Sequence, residues 1–455
     1  MAKQAPLIVS ISGIRGLVDE TFTTETVRGF AGAFATFLPP AAKVVLARDT
    51  RPSGERFAAE VASALQEAGC HVMDLGVCST PGAKLMVLEL GAHGAMIVTA
   101  SHNPNPWNGL KLVRSDGIFL NQSQARRVVE LFETGQFRSQ KGGSISRIDP
   151  AEVNRRHLER ILRHVDVERI RGAGLSAAVD PCNGTGALLV PELLAALGVR
   201  TTLIHAAPNG CFAHEPEPLP ENLHDLTQAV RSSSSNVGFA IDPDADRVAL
   251  VDESGRPLGE DYTLALAVGV LAVRRTSPVV TTLSTSQTVT DAALRCGCPV
   301  VLTAVGEVNV VERMLEVNAV VGGEGNGGVV VPEIDPGRDA AVGVAVILES
   351  LARSGAPLSA LAQRLPAYSI EKRKVAARAD RVARAVGALR KRYPTAYLHP
   401  VQDGAKLYLI REYECPWIHL RPSNTEPVVR IIAESDSAAQ ARQLCDEAAE
   451  LLGAS

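Results

Sequence analysis

Residues 43–75 read KVVLARDTRPSGERFAAEVASALQEAGCHVMDL, and their pattern decides the fold class. The apolar, β-branched run at 43–47 suits a buried strand, 54–68 carries apolar residues at helical spacing, and 71–75 returns to a strand. A strand, a helix and a second strand in that order form a βαβ unit, which sets two strands parallel in one sheet. Outward from it the rhythm continues with a helix over 82–90 and a buried strand over 95–99.

A polar stretch bearing Gly and Ser, 139–150, resembles a boundary, and a helix follows over 154–165. A second unit then holds a strand over 176–180, a helix over 187–197, a strand over 201–205, a helix near 221–231 and a strand ending at Asp242. The third run predicts helices over 262–274, 288–296 and 308–317, interleaved with strands over 279–283 and 300–303 and short strands at 319–321 and 329–331. From Ser369 the texture changes to a strand, an Arg- and Ala-rich helix over 380–392, several short strands and a last helix over 438–452. The expected fold class is α/β: three related α/β domains with mixed sheets at 1–148, 149–255 and 256–368, then a C-terminal α+β domain at 369–455.

With 46 Lys+Arg against 50 Asp+Glu in 455 residues, and no block of like charge, nucleic acid is not the expected partner. Eight scattered cysteines without a CxxC pair fit a reducing cytosol, and no run of about eighteen apolar residues predicts a membrane span. A soluble, untargeted cytoplasmic protein is expected.

Four segments carry chemistry. The first, TASHNPNPWNGLK at 99–111, follows a buried strand; its prolines, Asn and Gly argue against a regular element and hold Ser101 on a rigid loop at the carboxyl end of a sheet. Ser101 in isolation reads as a turn cap, but His102 and Lys111 lie close enough to serve as acid, base or charge stabiliser. The second, DPDADR at 242–247, places Asp242, Asp244 and Asp246 at alternate positions, where on an extended loop they would converge on a hard cation such as magnesium. An EF-hand is rejected, because its sixth position would be Arg247 rather than Gly and the flanks are strands. The third, GGEGNGG at 322–328, lacks the Lys and Ser/Thr of a P-loop, so Glu324 and Asn326 are better suited to vicinal sugar hydroxyls. The fourth, RPSNTEPVVR at 421–430, offers Arg421, Ser423, Asn424, Thr425 and Arg430 to a phosphate that does not react. Arg15, in ISGIRG at 11–16, is one more cation on a Gly-flanked loop.

Together these segments resemble, in order and over essentially the whole chain, the α-D-phosphohexomutase family. The resemblance implies four domains around a central cleft, a phosphorylated Ser101, and one Mg²⁺ per chain held by Ser101, Asp242, Asp244 and Asp246. It further implies sugar recognition by Glu324 and Asn326, phosphate holding by Arg421, Ser423, Asn424, Thr425 and Arg430, and assistance from Lys111, His102, Arg247 and Arg15. Hexose 1- and 6-phosphates are the implied substrates, a hexose 1,6-bisphosphate the intermediate and activator, and the expected state is a monomer or homodimer. A hinged fourth domain would let the bisphosphate turn over.

The segment AVGEVN at 304–309 sets an acid after the Gly, as in phosphoglucosamine mutases, and an acid suits a substrate amine, so glucosamine phosphate is the first expectation. Asn326 and Gly328 depart from the usual bacterial glucosamine pattern, which keeps phosphoglucomutase/phosphomannomutase activity as the alternative. A sugar-phosphate-binding relative without turnover, and a phosphatase using Asp242 as nucleophile, are the other classes; the second leaves Ser101 and the fourth domain without a role.

Overall fold

The computed structural model describes residues 7–10, 13–423 and 428–453. Among these residues four sheets succeed one another along the chain. The first has seven strands in the order Ile8–Ser10, Gly13–Leu17, Trp107–Arg114, Gly94–Val98, Lys43–Arg48, His71–Val77, Ser144–Arg147. Its last four strands are parallel. Alternation along Lys43–Arg48 explains the continuous apolar run. Val44 and Leu46 pack with Phe30, Phe34 and Phe57 of the helices Thr24–Phe37 and Gly54–Glu67, whereas Val45 and Ala47 face Met86 and Val87 of the helix Thr80–Glu89. That second face also receives Val308, Val311 and Met314 from the helix Glu307–Glu316, so the first and third units share a core.

One expectation is corrected here and another is extended. The stretch after Ser101 is irregular only to Pro106: Trp107–Arg114 is a strand, antiparallel to Gly94–Val98, with its Asn and Gly inside the sheet. Gly109 is needed there, because a Cβ would lie 2.4 Å from the Ile14 carbonyl oxygen. The polar stretch at 139–150 contains the edge strand Ser144–Arg147, paired with His71–Val77, so its polarity marks a sheet edge as well as a connection.

The second sheet runs Val248–Asp252, Val237–Ile241, Ser176–Asp180, Arg200–Leu203; its first two strands form an antiparallel hairpin that carries residues 242–247 at its tip. The third runs Val300–Thr303, Val279–Thr282, Val321–Glu324, Gly328–Val331, Asp335–Arg338. Behind it lies the helix Ala340–Ser354, which the sequence pattern did not reveal: Ala340 to Leu348 are all buried, so it has no polar stripe and no helical period. Its N-cap, Asp339, accepts from the Ala341 and Val342 amides and bonds His157 Nε2 at 2.6 Å.

The fourth sheet is wholly antiparallel, in the order Ser369–Ala376, Val428–Ser435, Trp417–Pro422, Ala405–Tyr408, Tyr397–Leu398. Helices Arg381–Arg392 and Ala438–Leu452 cover it through Leu389, Leu444 and Ala448. Glu434 ties this unit to the third, accepting from Ser286 Oγ (2.5 Å), the Gln287 amide (2.7 Å) and its own neighbour Trp417 Nε1 (2.6 Å). No helix among the described residues is long and apolar enough to cross a membrane.

Asp335, 1% exposed and 3.9 Å from Lys84 Nζ, has its carboxyl pushed up to about 7, first by burial and against the pull of Lys84. Because the folded state holds this proton more tightly than the unfolded chain, stability from Asp335 is present at low pH and lost as pH rises from about 4 to about 7. Asp335→Asn is therefore expected to raise the thermal midpoint at pH 8 more than at pH 5, with a ceiling of about 4 kcal/mol. Scanning calorimetry at the two pH values tests this; an equal difference at both would exclude the titration of Asp335 as the cause.

Candidate active site

The four units meet at a cleft of 530 Å³ whose walls come from every one of them, including Arg15 and His102, Glu217 and Arg247, Glu324 and Arg338, and Arg421 and Arg430. Ser101 lies behind the cleft-lining His102, fully buried and with a left-handed φ of 52°. A non-glycine residue holds that backbone only when its surroundings fix it. Here they do: the Ser101 amide donates to Thr99 Oγ1 (2.9 Å), Thr99 Oγ1 donates to Asp49 Oδ2 (2.6 Å), and Asp49 pairs with Arg51 Nε (2.9 Å). The fully buried Arg51 then turns its remaining nitrogens on the loop, donating to the carbonyls of Ser101 (2.6 Å), Asn103 (2.5 Å), Pro104 (3.0 Å) and Trp107 (3.1 Å).

Ser101 Oγ lies 3.2 Å from Asp242 Oδ2 and 3.4 Å from His102 Nδ1. The 242–247 segment is not extended; it turns through a left-handed Ala245 (φ 57°), and Asp242 Oδ1 accepts the amides of Asp246 and Arg247, both at 3.0 Å. That turn gathers one oxygen from each of Asp242, Asp244 and Asp246 within 4.8 Å of one another. Lys111 Nζ bridges Asp244 Oδ2 (2.6 Å) and Asp246 Oδ2 (2.8 Å), and Thr80 Oγ1 also donates to Asp244 Oδ2 (2.5 Å). Asp244 Oδ1 and Asp246 Oδ1 are buried without a hydrogen-bond partner. Buried anionic oxygens left so are costly unless a cation meets them, and an all-oxygen donor set suits a small hard dication, so these residues fit magnesium.

Charge orders the rest of the site. Burial, and then Asp246 and Asp244, push the Asp242 carboxyl well up; at Asp246 burial acts the same way but Arg338, Lys111 and Arg247 outweigh it and hold the group well down. Burial works against the Lys111 ammonium, yet Asp244 and Asp246 raise it, so Lys111 is a held cation. Burial, followed by Arg247 and Arg15, drives His102 down and keeps it neutral. Arg15, lowered to about 10 by burial and then Arg247, donates to Asn103 Oδ1 at 3.0 Å.

The glycine-rich segment is a tight hairpin rather than a free loop, with Glu324 opposite Gly328. Glu324 accepts the Gly306 amide (3.1 Å) and pairs with Arg338 (2.5 Å), while Asn326 Oδ1 accepts the Gly328 amide (3.2 Å). In the fourth unit Arg421 and Pro422 are strand residues, and Arg421 Nε donates to Asp403 Oδ1 at 2.9 Å. Arg421 stands opposite Arg430, and Arg430 opposite Lys374, on three neighbouring strands. Like charges in cross-strand register repel one another, which an anion between them would relieve. Ser423 lines the same wall, whereas Asn424 and Thr425 lie outside the described residues.

The sequence reading missed Arg338, Lys374, Glu217 and Arg51. Arg338 is the hub of the cleft, reaching Asp246 (2.8 Å), Glu324 (2.5 Å) and Glu307 (3.1 Å); its segment, DPGR, carries no spacing that announces it. Lys374 could have been found from the KRK run at 372–374. Glu307, expected to await a substrate amine, is instead neutralised by Lys84 (2.5 Å) and Arg338, so the electrostatic ground for an amino sugar is removed at that residue.

Three α/β units and a differing fourth around one cationic cleft define the α-D-phosphohexomutase class. Family profiles agree: those described as phosphoglucomutase/phosphomannomutase alpha/beta/alpha domains I, II and III match residues 7–139, 155–255 and 259–368, and the C-terminal domain matches 371–451. A phosphoglucomutase/phosphomannomutase of Thermococcus kodakarensis is 36% identical over 97% of both chains, and a probable phosphoglucosamine mutase of Methanopyrus kandleri is 33% identical over 97% of this chain and 96% of its own. A solved phosphoglucomutase/phosphomannomutase family protein from Burkholderia thailandensis superimposes with a TM-score of 0.83 at 27% identity, covering 98% of this chain and 99% of its own. The chain belongs to the phosphoglucomutase/phosphomannomutase family and is a phosphohexomutase, an isomerase of hexose phosphates.

Proposed function

We propose that the protein exchanges a phosphoryl group between the 1- and 6-positions of a hexose through a phosphorylated Ser101 and a 1,6-bisphosphate intermediate. The observation that carries this reading is the placement of Ser101 Oγ 3.2 Å from Asp242, beside buried aspartate oxygens without hydrogen-bond partners and next to His102 in the wall of a cleft lined by cations. A sugar hydroxyl oxygen bonds to the phosphorus, the bond from phosphorus to Ser101 Oγ breaks, and the hydroxyl proton ends on Ser101. Such transfer depends on positioning and charge stabilisation. Asp242, Asp244 and Asp246, with a phosphoseryl oxygen, would hold Mg²⁺, which offsets charge on the phosphoryl group when bound. Neutral His102 faces the oxygen that changes bonds, Arg15 and Arg247 meet the phosphoryl charge, and the Lys111 ammonium holds two of the aspartates in place and can donate a proton but not accept one. Glu324 and Asn326 meet the sugar hydroxyls; Arg421, Ser423, Arg430 and Lys374 grip the far phosphate.

Glucosamine phosphate is the first substrate reading, supported by relatives named phosphoglucosamine mutase at 31–33% identity. Glucose or mannose phosphate is the second, favoured by the pairing of Glu307 with Lys84 and Arg338 and by the name of the relative at 36%. Coupled assays with Mg²⁺ and glucose 1,6-bisphosphate on glucosamine 6-phosphate, glucose 1-phosphate and mannose 1-phosphate separate the two. Isomerisation of at least one ester is expected, abolished by chelation and restored by Mg²⁺. Release of free phosphate alone would make the protein a phosphatase, and no change in any ester would make it a binder.

A further inference from the structure

A second cluster lies outside the lining of the cleft, at the carboxyl end of the second sheet. Asp180, at the end of the strand Ser176–Asp180 and 1% exposed, turns Oδ2 toward two imidazoles: His205 Nδ1 at 2.9 Å and His214 Nε2 at 3.0 Å. Its other oxygen is anchored by the Cys182 amide at 2.9 Å. The far nitrogen of each ring also faces an oxygen: His214 Nδ1 is 2.8 Å from the Glu215 carbonyl, which can only accept, and His205 Nε2 is 3.4 Å from Asp225 Oδ2. A neutral imidazole has one N–H. His214 Nε2, 3.0 Å from Asp180 Oδ2, and Nδ1, 2.8 Å from the Glu215 carbonyl, both sit at N–H···O distance; a dication that displaces the Nε2 proton takes up its lone pair, and the other N–H stays on the carbonyl. A ring whose far N–H is held by an oxygen while its near nitrogen converges with a carboxylate is the usual outer arrangement of a metal-ligating histidine.

The backbone supports the same conclusion. Cys182, Asn183 and His205 are non-glycine residues in the left-handed region, with φ of 50°, 52° and 44°, gathered around this one point. The segment 205–217 that starts from it has no helix or strand; Asn183 and Asn105 bond residues 205–211, and the segment goes on to the active cleft, where Phe212 lies under the Arg51 guanidinium at 5.0 Å and Glu217 stands 3.7 Å from His102 and 3.6 Å from Arg247.

We propose that Asp180, His205 and His214 form a binding site for a borderline transition-metal dication, zinc being the natural occupant, separate from the all-oxygen aspartate site in the cleft. Two imidazole nitrogens and one carboxylate oxygen select such an ion over magnesium. A water molecule completes the coordination, since the side chains of His205 and His214 remain 23% and 18% exposed. Cys182 Sγ contacts the Nδ1 side of His214, at 4.0 Å, and is not a ligand. The metal rivets residues 205–217 to the second sheet and thereby fixes where Glu217 enters the cleft.

The test uses the full chain, stripped by chelator and dialysed against limiting Zn²⁺ in excess Mg²⁺, with metal content measured by mass spectrometry. One zinc per chain is expected in the wild type and in Asp244→Asn, whereas His205→Gln and His214→Gln, checked for fold by circular dichroism, weaken zinc binding by more than the roughly 10–100-fold that loss of an outer-shell partner costs. X-ray absorption at the zinc edge of the wild type alone gives a second readout that needs no variant: a shell containing two imidazoles and oxygen supports the site. No zinc retained against Mg²⁺, retention indifferent to both histidine variants, loss in Asp244→Asn, or a sulfur-bearing or all-oxygen shell would each overturn it.

Discussion

Ser101→Ala is expected to lower kcat by at least about 10⁴-fold, the scale seen when a covalent nucleophile is removed. The alanine variant should still bind hexose phosphates, because the cations proposed to meet the far phosphate, Arg421, Arg430 and Lys374, stand on another unit of the chain. Binding by calorimetry within about tenfold of the wild type, with turnover gone, separates loss of the nucleophile from loss of the site. Incubation with glucose 1,6-bisphosphate carrying labelled phosphate should label the wild-type chain at Ser101 and leave the variant unlabelled. Retention of more than about 1% of the wild-type rate would remove Ser101 from the reaction path.

The second large effect is expected at Arg51, which touches no reacting atom. Its guanidinium is fully buried and holds four carbonyls of the Ser101 loop as well as Asp49. Arg51→Met leaves Asp49 as a buried charge without its partner, a loss of about 3–5 kcal/mol, and frees the loop that sets Ser101. Arg51→Lys should recover little, since one ammonium cannot supply a planar fork of donors to five acceptors. The double variant Asp49→Asn/Arg51→Met tests the positioning role separately from stability. Removing the stranded charge should restore about 2 kcal/mol or more of stability, while kcat stays depressed and hydrogen exchange in residues 100–107 stays fast. If kcat returns together with stability, Arg51 is only a structural residue.

The difference between what was read and what was missed follows from the range of each interaction. The strands and helices around 43–75, the Ser101 loop, the three aspartates and the Arg-bearing segment proposed for phosphate are local in the chain, and residue type with spacing suffices to single them out. The strand Trp107–Arg114 was hidden because its Asn and Gly are tolerated only beside Gly13–Leu17 and Gly94–Val98, where close backbone approach leaves no room for a side chain at Gly109. The helix Ala340–Ser354 was hidden because burial on all sides erases the period by which a helix is recognised.

By itself the sequence determined the α/β class and the order of four units, and it singled out the candidate reactive groups, since these rest on short-range patterning and on side-chain chemistry. Only the tertiary structure decided how the charges are shared. Asp246 meets Lys111 across 135 residues of sequence and Arg338 across 92, and Glu307 is neutralised by Lys84 across 223. Coulomb interactions depend on distance in space and on burial, neither of which a sequence position carries. The same fact turned an acid expected to meet a substrate amine into one arm of a buried ion pair.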